Sequence, residues 1–341
     1  MVVTAAIEAT LPVEGRLRAM NPTRDLGAIA DLIAHAFGNG MDERGRSAIR
    51  ELRWMAHLSP LVWWWAQADP TFSDSFNGFV WEEPSPKGKG WQIVGNVSLN
   101  RAPGDRRRWI ICNVVVRDEY QERGIGRKLT EMAISQARDL GAQGVVLQVY
   151  QDNFPALRLY TDLGFQEAGG ETHLRSETVK PVAFLEASGY YLRPWRPADG
   201  QAVYELARLA TPPAQQWLKP VNASDHRLRW WTRLEQWFRA LLSGRRVYRL
   251  IALREEDPVA MMTVTTAFRR GNHHLAFLVH PDHTGQVEAA LVSRALYMLA
   301  AIPPRPVEAT VDRGHSAALK VLRDYGFKEQ RTLLALRKDL D

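Results

Sequence analysis

The chain repeats part of its own sequence pattern, and this repetition constrains the fold more than any other feature. Residues 16–38 and 191–213 each predict a short strand, a turn containing proline, and a helix with apolar residues three and four positions apart. Shifting one segment by 175 positions superimposes Leu17 on Leu192 and Pro22 on Pro197. Because this period is far longer than a solenoid unit, we interpret the pattern as a duplicated domain.

A second pair of segments supports the duplication. Residues 157–169 (LRLYTDLGFQEAG) are similar to residues 319–331 (LKVLRDYGFKEQR), and each predicts a helix that ends at a glycine before a strand. The length of 341 residues also suits two domains. We therefore predict a first domain at 1–175, a linker at 176–188, and a second domain of similar plan at 189–341.

The composition excludes several classes of protein. The single cysteine, Cys112, excludes a disulfide framework and a multi-cysteine zinc site, and an apolar strand around it indicates packing rather than a nucleophile. A net charge of +6 over the whole chain is too small to indicate nucleic-acid binding. No stretch approaches the ~18 apolar residues of a membrane span, and Glu8 interrupts any signal peptide. We expect a cytoplasmic protein with no nucleic-acid or membrane partner.

Strands and helices alternate in the first half. Residues 91–100 and 109–116 predict two strands joined as a hairpin, and 144–150 predicts another strand. Helices are predicted after Gly124 and after Asn153, which is a natural N-cap. This order predicts an α/β domain with a central mixed sheet flanked by helices.

A glycine-containing turn at 121–128 (QERGIGRK) connects a predicted strand to a predicted helix. Gly124 and Gly126 keep side chains away from the first N–H groups of that helix, which lack intrahelical partners and lie at its positive end. The surrounding cations are Arg123, Arg127 and Lys128. The pattern predicts a cradle for a diphosphate, although the third glycine of a dinucleotide fingerprint and the P-loop spacing are both missing. A solvated turn without a ligand is the alternative.

The turn occurs between two other motifs. Val114-Val-Val116 precedes Gln-x-x-Gly-x-Gly, and Asn153-x-x-Ala156-x-x-x-Tyr160-x-x-x-Gly164-Phe165 follows. Together, over residues 91–169, they resemble the GNAT superfamily of acyl-CoA-dependent N-acyltransferases. The resemblance implies two tandem GNAT-like domains and transfer of an acetyl group from acetyl-CoA to a primary amine. The acceptor would be a small molecule or a peptide that attacks directly in a ternary complex.

The resemblance also implies a role for each motif. The backbone of Val114–Val116 would pair with pantetheine amides, and the N–H groups from Arg123 to Lys128 would hold the CoA diphosphate. Tyr160 would protonate the leaving thiolate, which suits a phenol that is neutral at pH 7. The implied cofactor-binding set is Val114, Val115, Val116, Gln121, Arg123, Gly124, Ile125, Gly126, Arg127, Lys128, Asn153 and Ala156.

The general base is not marked in the sequence. Many family members carry a glutamate on the strand before the hairpin, but residues 91–100 contain no carboxylate. Four acids lie near the motifs, and each is better explained as a solvated surface acid than as a base: Glu82, Glu83, Asp118 and Glu119. Direct attack with proton loss through water is an equally good interpretation, so the base stays open.

The second half resembles the same family without its chemistry. Val287 and Ala289 stand where the two glycines belong, Leu322 replaces the tyrosine, and His315 replaces the asparagine. The resemblance assigns this half to scaffolding, to completion of the acceptor pocket, or to a homodimer. An anion site of different chemistry stays open.

Histidine and tryptophan clusters have simpler explanations. No regular ligand spacing joins the second-half histidines, His273, His274, His280 and His283, so we predict no metal site. Most first-half tryptophans are expected to pack in the core, with the acceptor site as the alternative; they are Trp54, Trp63, Trp64, Trp65, Trp81 and Trp91.

Two other functions compete with catalysis: an acyl-CoA sensor or interaction protein, and an enzyme that binds NAD or ATP at the glycine turn.

Overall fold

The computed structural model describes residues 15–37, 49–54, 56, 77–85, 90–102, 107–179, 182–212, 215–217, 220–221, 245–268 and 271–340. Contacts divide the chain into two compact units. Unit 1 comprises 1–101, 106–145 and 339–341. Unit 2 comprises 102–105 and 146–338.

Unit 1 contains an antiparallel sheet, with one helix after its first strand and another after its last strand in the sequence. The strands, in spatial order, are β1 (Arg16–Ala19), β2 (Asn77–Pro84), β3 (Trp91–Arg101) and β4 (Arg108–Val116). The helices are α1 (Pro22–Phe37) and α2 (Ile125–Asp139). Apolar residues of α1 at three- and four-residue spacing, Ile29, Leu32 and Ile33, pack in one core with Val80 and Val115.

Unit 2 continues from β5, which begins in unit 1. Its elements are β5 (Gly144–Tyr150), α3 (Phe154–Asp162), β6 (Gln166–Ser176), β7 (Tyr191–Pro194), α4 (Gly200–Ala210), β8 (Arg245–Arg254), β9 (Asp257–Ala267), β10 (His273–Val279), α5 (Glu288–Ala300), β11 (Val307–Asp312), α6 (Ser316–Asp324) and β12 (Lys328–Asp339). The strand order is β5-β12-β6-β11-β10-β9-β8-β7. Strands β10 and β11 are parallel whereas β8 and β9 are antiparallel, which confirms the predicted α/β class with a mixed sheet.

Matched ion pairs support the predicted duplication. In the first half, Arg18 holds Asp25 through two hydrogen bonds of 2.6 and 2.9 Å. In the second half, Arg193 holds Asp199 through two bonds of 2.8 and 2.7 Å. Each pair joins the first strand of its half to the start of the following helix, and the two-pronged guanidinium geometry is the strong form of this interaction.

The compact units do not coincide with the two sequence repeats, because β6 pairs only with strands of the second half. It lies between β11 and β12 and is antiparallel to both. Leu174 of β6 is buried in the same core as Val307 and Leu322. The described residues at 177–179 and 182–188 contain no helix or strand. The predicted linker at 176–188 thus marks the end of a sequence repeat, and the domain boundaries stay a prediction.

Candidate active site

A β-bulge shapes the end of β4 in unit 1. The pairing of β3 with β4 slips between Asn96 and Ser98, and Asn113 opposite has a left-handed φ of 52°. The Asn96 side-chain Nδ2 donates a 2.9 Å hydrogen bond to Asn113 O. Beyond the bulge, Val115 is buried while Val114 and Val116 are half-buried. The bulge therefore sets the direction of the backbone that was predicted to pair with pantetheine.

A neutral polar cluster lies at this bulge, and none of the sequence motifs points to it. Asn96, Ser98 and Asn100 share one face of β3, because alternate residues of a strand point the same way. Asn113 Nδ2 donates to Ser98 Oγ at 3.3 Å. In the described chain, Asn96 Oδ1 and Asn100 Oδ1 are buried without a hydrogen-bond partner. The signal was the period-two spacing of polar residues in a strand that lacks a carboxylate.

Cys112 lies beside this cluster on β4. Asn100 Nδ2 approaches its Sγ at 3.4 Å. Burial raises the pKa of the Cys112 thiol to about 12. A thiol that stays protonated is a poor nucleophile, in agreement with the predicted packing role.

The glycine turn has the left-handed geometry that an anion cradle needs. Glu122 and Gly124 have φ values of 62° and 76°, and Gly124 is the residue before α2. The Gln121 side chain donates to Val116 O at 3.1 Å and so ties the turn to β4. A Cβ added at Gly124 would meet nothing within 4 Å, so the space beside the helix start is open. Ile125 is buried and anchors that helix start in the core.

The first turn of α2 corrects one part of the predicted cradle. Lys128 N donates to Gly124 O at 3.1 Å, which closes the first helical turn, so this N–H is not available to a phosphate. The N–H groups of Ile125 and Gly126 come before that first helical bond. The Lys128 ammonium lies 5.2 Å from the centre of the Trp81 ring, at cation–π distance.

The two arginines of the turn remain near its surface. Arg123 donates to Glu119 O at 3.0 Å and lies over the Tyr120 ring. Arg127 lies 4.0 Å from Glu131, one helical turn further along. These contacts hold both guanidiniums on the exposed side of the turn, where they add positive potential to the helix dipole.

In unit 2, Asn153 caps α3 as predicted. Its Oδ1 accepts a 3.2 Å hydrogen bond from Ala156 N, and Pro155 stands in the first turn. The cap uses the oxygen of the side-chain amide. Its Nδ2 group takes no part in this cap.

Tyr160 lies on α3 two helical turns after Asn153. Its side chain is buried, with 6% of the residue exposed, and its ring packs edge-on against Phe165 at 5.8 Å. No hydrogen bond joins its hydroxyl to another of the described residues. Burial raises the pKa of Tyr160 to about 12. The phenol is therefore protonated throughout the neutral range, which is the state that a proton donor requires.

The expectation that Glu82 and Glu83 are solvated is wrong, because both are buried in β2. Glu82 accepts hydrogen bonds from Arg18 at 2.6 Å and Arg16 at 2.8 Å. The Arg18 bond and then the Arg16 bond hold the pKa of Glu82 below its usual value against the opposing effect of burial. Glu83 accepts from Trp81 Nε1 at 2.9 Å. A carboxylate held between two guanidiniums is a poor general base.

The other two acids are exposed, as expected. Asp118 accepts a 2.8 Å bond from the Gln121 side chain and lies 3.6 Å from His35 Nε2. Glu119 is also exposed. Because both acids are exposed, neither of them is buried with the polar cluster of β3.

At the matched place in the second half, a side chain of the protein occupies the helix start. Helix α5 begins at Glu288 as α2 begins at Ile125, and Val287 before it has a φ of −117° instead of a left-handed value. The Glu288 carboxylate accepts from Gly285 N at 2.8 and 2.9 Å and from Val287 N at 3.2 Å. The N–H groups of this turn therefore already have an anion.

The replacements of the catalytic motif also lie at matched positions. His315 caps α6 with φ −86° and ψ 68°, and Asn153 caps α3 with φ −86° and ψ 71°. His315 Nε2 lies 2.8 Å from Glu288 Oε1, so it completes the buried pair. Leu322 is fully buried and has no group that could donate a proton.

The clustered histidines have separate partners. His273 Nδ1 accepts from Ala267 N, His274 contacts Thr310, and His280 caps a short turn. His283 contacts the Tyr190 hydroxyl. Within the described ranges, no group of three potential ligands is placed to hold a metal ion. In those same ranges, no helix combines the length and apolarity needed to cross a bilayer.

The tryptophans differ from the expected core packing. Trp81 is buried, but Trp54 is 66% exposed and Trp91 is 46% exposed, with the Arg16 guanidinium 4.2 Å from the Trp91 ring. Trp63, Trp64 and Trp65 lie outside the described residues. Trp91 is thus part of a surface cation–π pair.

Comparison with known proteins defines the class to which this site belongs. Residues 46–165 match the model of the Acetyltransferase (GNAT) family. A mycothiol acetyltransferase from Catenulispora acidiphila is 30% identical over 158 residues, which cover 46% of this chain and 46% of that protein. The resemblance of the first half to the GNAT family is thus confirmed over residues 46–165.

Solved structures match the fold over nearly the whole chain. A GCN5-related N-acetyltransferase from Sphaerobacter thermophilus aligns over 97% of both chains, with 19% identity and a TM-score of 0.60. A tandem GNAT protein from the clavulanic acid biosynthesis pathway aligns over 96% of this chain and 98% of its own, with 17% identity and a TM-score of 0.51. Matches to curated relatives span only 29% to 56% of those proteins' lengths.

Proposed function

We propose that the protein is an N-acetyltransferase that moves the acetyl group of acetyl-CoA to a primary amine, with its chemistry in the first half. The observation that supports this proposal most is the left-handed, open turn at Gly124. Its counterpart in the second half is filled by the Glu288 carboxylate. A helix start with free space and nearby cations favours a diphosphate. Of the two matched turns, only the Gly124 turn meets both conditions.

The reaction proceeds by direct attack in a ternary complex. The neutral amine attacks the thioester carbonyl, the carbon–sulfur bond breaks, and the departing thiolate takes a proton from the Tyr160 hydroxyl. Tyr160 suits this role because its pKa is about 12 and it is therefore protonated at neutral pH. The proton of the amine passes to water, since the hydrogen bonds from Arg18 and Arg16 lower the pKa of Glu82 and make its carboxylate a poor base.

The acceptor is proposed only as a class. The name of the mycothiol acetyltransferase relative points to a small-molecule acceptor. A test panel should include polyamines, amine-containing antibiotics, amino acids and peptides with a free N-terminus. We place the activity in the cytoplasm, because a lone cysteine suits a reducing compartment, and we expect a monomer or homodimer.

Release of free CoA thiol tests the proposal. The full chain, acetyl-CoA and each amine are incubated, and thiol is measured against reactions without amine. Amine-dependent release supports the proposal. Tight binding of acetyl-CoA without release from any amine would favour an acyl-CoA sensor, whose only support is the missing carboxylate on β3. Binding of NAD or ATP in place of acetyl-CoA would indicate a nucleotide-dependent enzyme.

A further inference from the structure

A cavity of about 660 Å³ lies in unit 2 where β7 ends beside β8. Three arginines line it, Arg193, Arg249 and Arg294, together with the aromatic residues Trp195 and Tyr248. Among the described residues that line it there is no carboxylate. A concave site of this volume is in the range of small-molecule sites.

The cavity carries uncompensated positive charge. Arg193 is neutralised by Asp199. Arg249 lies 5.5 Å from the Trp195 ring centre and Arg294 lies 4.7 Å from the Phe184 ring centre, and neither forms an ion pair with a carboxylate of the described chain. Burial lowers the pKa of Arg249 from its usual value, because removal from water disfavours the charged form of the guanidinium. Two half-buried cations in one cavity favour an anion beside them.

The first half lacks both cations at matched positions. Trp195 N donates to Arg249 O at 2.9 Å, and the equivalent bond joins Met20 N to Gly78 O at 2.9 Å. Arg249 therefore stands in the place of Gly78, where an added Cβ would lie 2.3 Å from Val97 O.

Arg294 also has no cationic counterpart. It lies six positions after the first residue of α5, and Glu131 lies six positions after the first residue of α2. An acid in the first half thus corresponds to a cation in the second. At the two matched positions of the described chain, both cations are therefore features of the second half.

We propose that this cavity binds a small organic anion, in which a carboxylate or phosphate group is attached to a flat apolar body. The planar guanidiniums of Arg249 and Arg294 match the oxygens of either anion through paired hydrogen bonds. The rings of Trp195 and Tyr248 offer the apolar surface for the body of the ligand. The site is separate from the proposed acetyl transfer and gives the second half a binding role of its own.

Calorimetric titration of the full chain tests the charge requirement. Benzoate and its neutral analogue benzamide are compared, and phenyl phosphate is compared with inorganic phosphate. We expect benzoate to bind at least about tenfold more tightly than benzamide, and phenyl phosphate more tightly than inorganic phosphate. Equal affinity of benzoate and benzamide, or no saturable binding of any probe up to about 10 mM, would overturn the proposal.

Matched variants locate the binding. Arg249→Gln and Arg294→Gln should each weaken phenyl phosphate binding about tenfold or more, because each removes a charge-assisted hydrogen bond. Arg246→Gln on the same strand should change it less than about twofold, because Arg246 lies over Phe268 and does not line the cavity. If either glutamine variant unfolds, Arg249→Lys and Arg294→Lys replace it and should give a smaller loss. Equal losses from all three positions, or none, would contradict the assignment.

Discussion

The Gly124 turn and the Val287 turn share one backbone plan and use it in opposite ways. Both follow a strand and a short helical turn, and both lead into a long helix. At Gly124 the space beside the helix start is open. At Val287 the carboxylate of Glu288 already accepts the N–H groups. In the proposed function, the same kind of helix start serves as a ligand site in one copy, whereas it makes an internal structural contact in the other.

The helices α3 and α6 repeat the same contrast. Their N-caps have nearly identical dihedral angles, yet Asn153 and Tyr160 in α3 correspond to His315 and Leu322 in α6. His315 binds Glu288, so the replaced cap supports the filled turn. The two helix starts thus share a backbone geometry, while the two positions proposed as functional in α3 hold structural residues in α6.

Removal of the second half should have the largest effect. A 1–180 fragment leaves β6 without β11 and β12, the strands on both of its edges. Open edges and an uncovered Leu174 favour aggregation. We expect the fragment to be insoluble when expressed alone, and solubility to return on co-expression with 181–341. A soluble monomeric 1–180 fragment with full turnover would show that the two repeats are independent.

Tyr160→Phe should separate catalysis from binding. We expect turnover to fall roughly ten- to a thousandfold with acetyl-CoA affinity nearly unchanged, because a proton donor is lost from a helix that keeps its packing. Since burial raises the pKa of Tyr160 to about 12, the wild-type rate should show no alkaline loss near the ordinary tyrosine value of about 10. The matched control, Leu322→Tyr, should add no activity. Unchanged turnover in Tyr160→Phe would transfer the role to water.

Gly124→Ala and Gly141→Ala compare the two ends of α2. Gly124 has a φ of 76° and Gly141 a φ of 73°, and an added Cβ meets nothing within 4 Å at either position. Each alanine should therefore cost a similar ~1–2 kcal/mol of stability through backbone strain. Only Gly124→Ala should weaken acetyl-CoA binding, by about tenfold, since its methyl group enters the cradle. Thermal melts and calorimetry measure both effects, and equal binding losses would point to strain alone.

Glu288→Gln tests the filled turn and should have a smaller effect. Burial raises the pKa of Glu288. The hydrogen bonds with His315 and with the N–H group of Gly285 together lower it by a larger amount, so the net shift is downward. A lowered native pKa stabilises the fold above the unfolded value and loses this contribution as the pH falls through the native value. We expect a loss of ~1–3 kcal/mol at pH 7 that shrinks in acid, against ~0.5 kcal/mol or less for the surface control Glu131→Gln. Urea unfolding at several pH values measures it, and a pH-independent difference would contradict the charge argument.

Local sequence signals predicted much of the fold. Strand β5 was predicted at 144–150 and is Gly144–Tyr150, because an apolar run bounded by turn residues is a local property. The Asn153 cap and the positions of Val287 and Leu322 were equally readable from spacing. The α/β class followed from the order of these elements.

Non-local features could not be predicted. The insertion of β6 between β11 and β12 depends on pairing across more than a hundred positions, for which the sequence holds no local signal. Glu82 is paired with Arg16 and Arg18 of β1, which neighbours β2 in the sheet although these residues lie 66 and 64 positions earlier in the sequence. The Glu288 contact required the turn geometry, since a glutamate in the first turn of a helix is ordinarily solvated.

The stoichiometry of acetyl-CoA binding tests the central claim most directly. Titration calorimetry on the full chain should give one site per chain, because of the two matched turns only the Gly124 turn offers an open helix start. Glu288→Gln should leave that number unchanged, since a side chain still fills the Val287 turn. Two equivalent sites per chain in the wild-type protein would contradict the account.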